Sequence, residues 1–226
     1  MARQLTFDLG AKPALGREDF FVSSANAMAL AVIEADHGWP QGKLILTGPA
    51  GAGKTHLAHV WAARSGAAFL EATALPEGLQ DAQAVIVEDA QAVCEDAESQ
   101  TRLFHLHNHL VATGGRLLLS AQDPPSRWPL TLPDLASRLE ATQLTRIDPP
   151  DDALLAAVMV KQLGDRQLTP DPSVIQFILT RMERSFAAVT QVVGALDALA
   201  LSEGRAITRP LAAQVLDRLE NVAPGS

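Results

Sequence analysis

A chain of 226 residues, 47% of them hydrophobic, has room for one α/β domain and a small helical one. Its net charge of −8, few aromatics and lack of Tyr argue against a dedicated nucleic-acid face, whether of clustered Lys and Arg or of stacking rings. The single cysteine, Cys94, excludes an internal disulfide and a cysteine-rich metal site. No signal peptide is read before residue 30 and no apolar run is read as long enough to span a bilayer, so the expectation is a soluble, cytoplasmic protein without membrane contact.

Residues 1–10, MARQLTFDLG, precede any helical pattern. Leu5, Phe7 and Leu9 alternate with Thr6 and Asp8 behind Gln4. Two readings stand: an edge strand or frayed tail, or a linear peptide docking in another protein's groove with these apolar anchors. Residues 13–16 read as a linker. A helix is expected within 19–36, with Phe20-Phe21-Val22 leading to Ser23 or Ser24 as its cap. Residues 38–42, GWPQG, form a turn.

Residues 43–55, KLILTGPAGAGKT, are the most specific stretch. A short apolar strand runs into a loop matching G-x-x-x-x-G-K-[ST], and a helix follows. Glycines at 48, 51 and 53 let backbone N–H groups point inward as an anion nest, and the helix N-terminus adds partial positive charge. Lys54 then reaches the β- and γ-phosphates, and Thr55 offers a hydroxyl to Mg²⁺. The bland alternative is a glycine turn joining strand to helix with no ligand.

The helix is expected to end at Ser65-Gly66, and a second strand to cover 67–71. Val85-Ile86-Val87 reads as a buried parallel strand with Glu88 and Asp89 at its carboxyl end, where ligands bind in open α/β sheets. An acidic pair there suits a Walker-B role, one carboxylate ordering Mg²⁺ and the other polarising water; Asp89 as a plain helix cap is the alternative. A helix over 95–113 carries His105, His107 and His109. The 105/109 pair has chelating spacing, but with no Cys or carboxylate in support the three are read as a solvated or partner-facing surface. Residues 116–120 are a further apolar strand ending in Ser120 and Gln122, residues 132–139 a short helix bearing Arg138, and 144–147 a last strand. From 151 the pattern is helical throughout, roughly 151–163, 171–183, 186–202 and 210–219, too small a bundle to stand alone.

These features together look like an AAA+ ATPase. Within that superfamily the chain resembles the replication initiator DnaA and its shorter relatives, the Hda family. The resemblance is carried by the Phe20-Phe21-Val22 and Asn26 entry segment, GPAGAGKTHL at 48–57, VIVEDAQ at 85–91, LLLSAQDPPSRW at 117–128, LPDLASRL at 132–139 and the helical tail. It implies an α/β fold: an AAA+ P-loop nucleotide-binding domain with a parallel sheet over 17–149, then a small all-helical lid domain over 150–226. Residues 1–16 would be a clamp-binding peptide and linker, with Gln4, Leu5, Phe7 and Leu9 on the β sliding clamp of DNA polymerase III.

The resemblance further implies ADP or ATP with Mg²⁺ as cofactors. Gly48, Pro49, Ala50, Gly51, Ala52, Gly53, Lys54, Thr55 and His56, with Phe21 and Val22, would bind nucleotide; Thr55 and Glu88 would serve the metal; Glu88, Asp89 and Arg138 would be catalytic. Arg138 matches the family's arginine finger, a residue that acts in trans on a neighbour's γ-phosphate. DnaA and the clamp are the implied partners, without direct sequence-specific DNA binding, and the implied role is to stimulate ATP hydrolysis by DnaA and so prevent over-initiation. Self-association is left open. The chain departs from the pattern at three places. Glu88 stands where Asp is usual, Gln122 and Asp123 lie near a shifted sensor-1 acid, and the sensor-2 arginine position falls near Ala187, one turn from Arg184. Tight nucleotide binding with poor self-hydrolysis is the expectation. The alternative is an AAA+ helicase loader or remodeller, which predicts robust turnover; a small-molecule kinase would need an arginine-rich lid.

Overall fold

The computed structural model describes residues 15–76 and 82–222. Apolar runs too short for helices become five strands: β1 (Lys43–Thr47), β2 (Ala68–Glu71), β3 (Ala84–Glu88), β4 (Arg116–Ala121) and β5 (Gln143–Arg146). All pair in parallel, in the order β2-β3-β4-β1-β5. Such a sheet needs cover on both faces, and strand alternation supplies it. Leu44, Leu46, Ile86 and Leu118 face one apolar cluster with Ile33, Leu57 and Trp61, drawn from α1 (Ala27–Glu34) and α2 (Lys54–Ser65). Ile45, Val85, Val87, Leu117 and Leu119 face the other, with Leu103, Leu106 and Leu110 of α3 (Ala97–Thr113) and Leu135 and Leu139 of α4 (Pro133–Glu140).

The remaining helices, α5 (Asp152–Gly164), α6 (Pro172–Leu179), α7 (Phe186–Glu203) and α8 (Arg209–Val222), enclose a separate core around Leu155, Met159, Ile178, Val189, Val193 and Leu196. Asp151, Asp171 and Ser185 cap α5, α6 and α7 by accepting hydrogen bonds from Leu154, Ser173 and Ala188 N–H groups, which satisfies donors the helices cannot.

Several expectations need correction. Neither Ser23 nor Ser24 caps α1; the helix begins at Ala27, and buried Asn26 instead braces the incoming chain. Its Oδ1 accepts from Ser23 N–H at 2.9 Å and its Nδ2 donates to the Phe21 carbonyl at 2.9 Å. Residues 90–95 form 3₁₀ turns before α3, whose cap is Asp96. The helix expected over 171–183 stops at Leu179. α7 does have the length and apolar composition to cross a membrane, but here Val189, Val192, Val193, Leu196 and Leu199 make it the centre of the lid core. The histidines are not a uniform surface: His105 is exposed, whereas His107 points inward and is 2% exposed. Among the described residues no cluster of His, Cys, Asp and Glu suits a metal ion.

Beneath the sheet, Asp36 is a buried tie point. It pairs with Arg116 of β4, accepts from Trp61 Nε1 at 2.9 Å and lies 3.7 Å from Arg64. Trp39 packs on Trp61 at 5.0 Å between ring centroids, and the Arg116 guanidinium lies 5.8 Å from the Trp61 ring.

Candidate nucleotide site

The loop of residues 48–53 leaves the carboxyl end of β1, in the interior of the sheet, and feeds α2. Its glycines are there because neighbours come too close for side chains. A Cβ on Gly48 would meet the Ile147 carbonyl oxygen at 2.6 Å. Gly51 has φ of 68°, and a Cβ there would lie 2.7 Å from Ser185 Cβ. Phe186 N–H donates to the Gly51 carbonyl at 3.1 Å. The first residues of α7 are therefore bolted onto the phosphate loop, a contact between segments 134 positions apart (185 less 51) that no local pattern announces.

Lys54 is 8% exposed, and its Nζ donates to the Gly48 and Pro49 carbonyls at 2.8 and 3.0 Å. Burial lowers its pKa, while the Asp89 and Glu88 carboxylates, in that order, pull it up. The acidic pair therefore lies within electrostatic reach of Lys54. Glu88 closes β3, half-buried. Asp89 is exposed, adopts φ 45° and ψ 44°, and donates its backbone N–H to Ser120 Oγ of β4 at 3.2 Å. A non-glycine residue in this left-handed conformation is uncommon. Ser120 thereby braces the turn that carries the Asp89 carboxylate. Asp89 makes no side-chain cap to the following turn. Thr55 lies exposed on the first turn of α2.

The entry segment closes over this end of the molecule. His56 Nε2 bonds the Gly16 carbonyl at 2.9 Å, and its ring meets Phe20 edge-on at 5.1 Å. Burial lowers the His56 pKa, only partly offset by the bond to Gly16. Phe20, not Phe21 or Val22, is the buried member of the aromatic run; Phe21 is half-buried and Val22 is 51% exposed. Asp19 pairs with Lys161 of α5, which joins entry segment and lid. Sequence reading missed this pair.

Near the place where the resemblance expects a sensor-1 acid, Gln122 N–H donates to Gln91 Oε1 at 2.7 Å, and Asp123 pairs with Arg127 at 3.0 Å. Ala187 stands exposed on α7. Arg184 is held by Asp152 at 3.2 Å. Arg138 lies elsewhere. It is exposed on α4, near the amino ends of β1 and β5, with its guanidinium 5.3 Å from the Phe104 ring. The residues proposed for clamp docking, Gln4, Leu5, Phe7 and Leu9, lie outside the described residues.

A phosphate loop after an interior strand of this parallel sheet, an acidic pair after the next strand but one and a helical lid bolted to the loop define an AAA+ fold. Residues 152–216 match the family model described as the Hda lid domain. Domain III of the DnaA replication initiation protein from Thermotoga maritima superposes with a TM-score of 0.79 at 18% identity, covering 94% of this chain and 99% of that one. AMPPCP-bound DnaA from Aquifex aeolicus gives a TM-score of 0.71 at 19% identity over 93% of this chain and 69% of that one. The Thermotoga maritima Holliday-junction branch-migration motor RuvB gives 0.70 at 13% identity over 90% and 72%. The chain thus has an AAA+ fold shared with domain III of DnaA, and its helical lid matches the Hda lid domain.

Proposed function

We propose that this protein is a regulatory nucleotide-binding AAA+ protein that docks on the sliding clamp through residues 4–9 and stimulates ATP hydrolysis by DnaA, limiting re-initiation of replication. The observation that carries the reading is the position of Arg138. Lys43, in the same cavity wall as Arg138, opens β1, whereas the phosphate loop follows the other end of that strand. Five strand residues at about 3.3 Å each put roughly 16 Å between them. Arg138 therefore cannot serve the nucleotide of its own chain. An exposed guanidinium with no ion-pair partner among the described residues is suited to another molecule's phosphate.

The chain's own site suits an adenine nucleotide, with AMPPCP-bound DnaA sharing the fold. The buried Lys54 ammonium, resting on two loop carbonyls, would turn to the phosphates. Thr55 and Glu88 would hold Mg²⁺, which neutralises phosphate charge. Asp89 would orient water. With Ala187 at the sensor-2 position and Arg184 engaged by Asp152, nothing from the start of α7 supplies a cation to the γ-phosphate. The protein thus holds nucleotide as a structural switch and turns it over slowly.

Calorimetry against purified clamp tests the docking. The wild-type chain is expected to bind at micromolar affinity or better, and the Gln4→Ala/Leu5→Ala variant not to bind. Equal binding by both, or none by either, removes the clamp from the proposal.

A further inference from the structure

At the amino end of β1, away from the phosphate loop, lies a cavity of about 350 Å³ between α3, α4 and the turn before β1. Its wall includes Lys43, His107, Asp134, Ser137, Arg138 and Thr142. Lys43 is 2% exposed, yet its ammonium has a single hydrogen-bond partner, the Gln41 carbonyl at 3.2 Å, and no carboxylate partner among the described residues. The Arg138 guanidinium likewise has no ion-pair partner among the described residues and lies 5.3 Å from the Phe104 ring. His107 is as buried as Lys43, and its Nδ1 has no hydrogen-bond partner. A buried cation normally pairs, and a buried polar atom normally bonds. Here two cations and an orphaned imidazole nitrogen line one cavity, with a single, exposed carboxylate, Asp134, at the wall.

We infer that this cavity is an oxyanion site for a phosphate group, with Lys43 and Arg138 as charged donors and His107, in its Nδ1–H tautomer, as a neutral one. Ser137 and Thr142 hydroxyls stand beside them; Thr142 Oγ1 now donates to the Arg138 carbonyl at 2.8 Å. Burial and the Arg138 charge push the Lys43 pKa down to about 8, so an incoming dianion relieves an electrostatic cost at this wall. The phosphate has two sources, the terminal phosphate of a partner's nucleotide or free inorganic phosphate. The first rests on the reading of Arg138 given above; the oxyanion site itself does not.

The test uses the full chain saturated with ADP, so that the phosphate loop is filled. Inorganic phosphate is titrated against chloride at constant ionic strength while the His107 imidazole resonances are followed by NMR. Saturable shifts are expected in wild type and in Lys43→Arg, with affinity at least about tenfold weaker in Lys43→Met, the loss of one charge-assisted hydrogen bond. No saturable shift, or equal affinity in Lys43→Met, overturns the site. Thermal melts establish that Lys43→Met is folded, and Lys43→Arg keeps the test decisive if it is not. DnaA ATPase assays then separate the sources. If the partner's phosphate is the ligand, Lys43→Met lowers the stimulated rate without weakening the complex, and added phosphate inhibits. If free phosphate is the ligand, stimulation is intact in Lys43→Met while the NMR response is lost. Absence of stimulation by the wild-type chain defeats the regulatory reading and leaves the titration to judge the cavity.

Discussion

Replacing Gly51 with alanine probes the bolt between the phosphate loop and the lid. Gly51 sits at φ 68°, where an L-residue costs about 1–2 kcal/mol. Its new Cβ would lie 2.7 Å from Ser185 Cβ, about 1 Å inside normal carbon contact. Ser185 is 4% exposed and caps α7, so the serine cannot simply swing away. Overpacking of this kind adds about 1–3 kcal/mol. The sum, roughly 2–5 kcal/mol, lowers the melting temperature by about 5–15 °C for a chain of this size. The same shift moves the Phe186 N–H off the Gly51 carbonyl and distorts the nest, so stabilisation by ADP in the melt shrinks as well. A second substitution, Ser185→Gly, removes the clashing carbon at a capping cost of only a few tenths of a kcal/mol. The double variant is expected to recover the overpacking part of the loss and not the backbone part. Melting of Gly51→Ala within a degree of wild type, or no recovery in the double variant, refutes the bolt.

Three further outcomes follow from the packing and the charges. Asp36→Ala leaves Arg116 and the Trp61 N–H without their buried acceptor and should cost about 3 kcal/mol in a urea titration; a loss under about 1 kcal/mol contradicts the tie-point role. His107 stays neutral in the fold because burial, with Lys43 and Arg138 nearby, holds its pKa at about 4. The unfolded chain takes up that proton near pH 6.5, so the stabilisation is fully present above pH 6.5 and is lost as pH falls to about 4, by about 3 kcal/mol in all. His107→Gln should flatten that segment of the stability profile; an unchanged slope between pH 6.5 and 4 sinks the assignment. Lys54→Ala removes a charged donor to phosphate and should weaken ADP about 10- to 100-fold by calorimetry, whereas equal affinity would move the nucleotide off this loop.

The phosphate loop was legible because each of its residues is demanded locally: a strand, a curl of glycines, a helix start. The place of the acidic pair was legible because Val85-Ile86-Val87 reads as a buried strand, which puts Glu88 and Asp89 at its carboxyl end. Tertiary facts were less so. Residues 185 and 186 touch Gly51 only because the lid folds back, and neither has a composition that says so. Asp36 looks like an ordinary helix-end acid until Arg116, 80 residues on, arrives beside it. His107 did leave a signal that was passed over. Leu103, Leu106, His107 and Leu110 form one stripe at helical spacing, so the histidine belonged to the buried face from the start, while His105 fell outside it. The serines at 23 and 24 misled because Asn26 makes the stronger local bonds and delays the helix to residue 27.

The central claim is that Arg138 acts on the nucleotide of DnaA while its own chain rides the clamp. The most direct measurement is ATP hydrolysis by DnaA in the presence of clamp loaded on DNA, with either the wild-type chain or Arg138→Ala, each saturated with ADP. Wild type should raise DnaA turnover well above its basal rate. Arg138→Ala should bind the clamp as before and leave DnaA at the basal rate, since on this proposal the exposed guanidinium on α4 is the group supplied in trans. Full stimulation by Arg138→Ala would contradict the account.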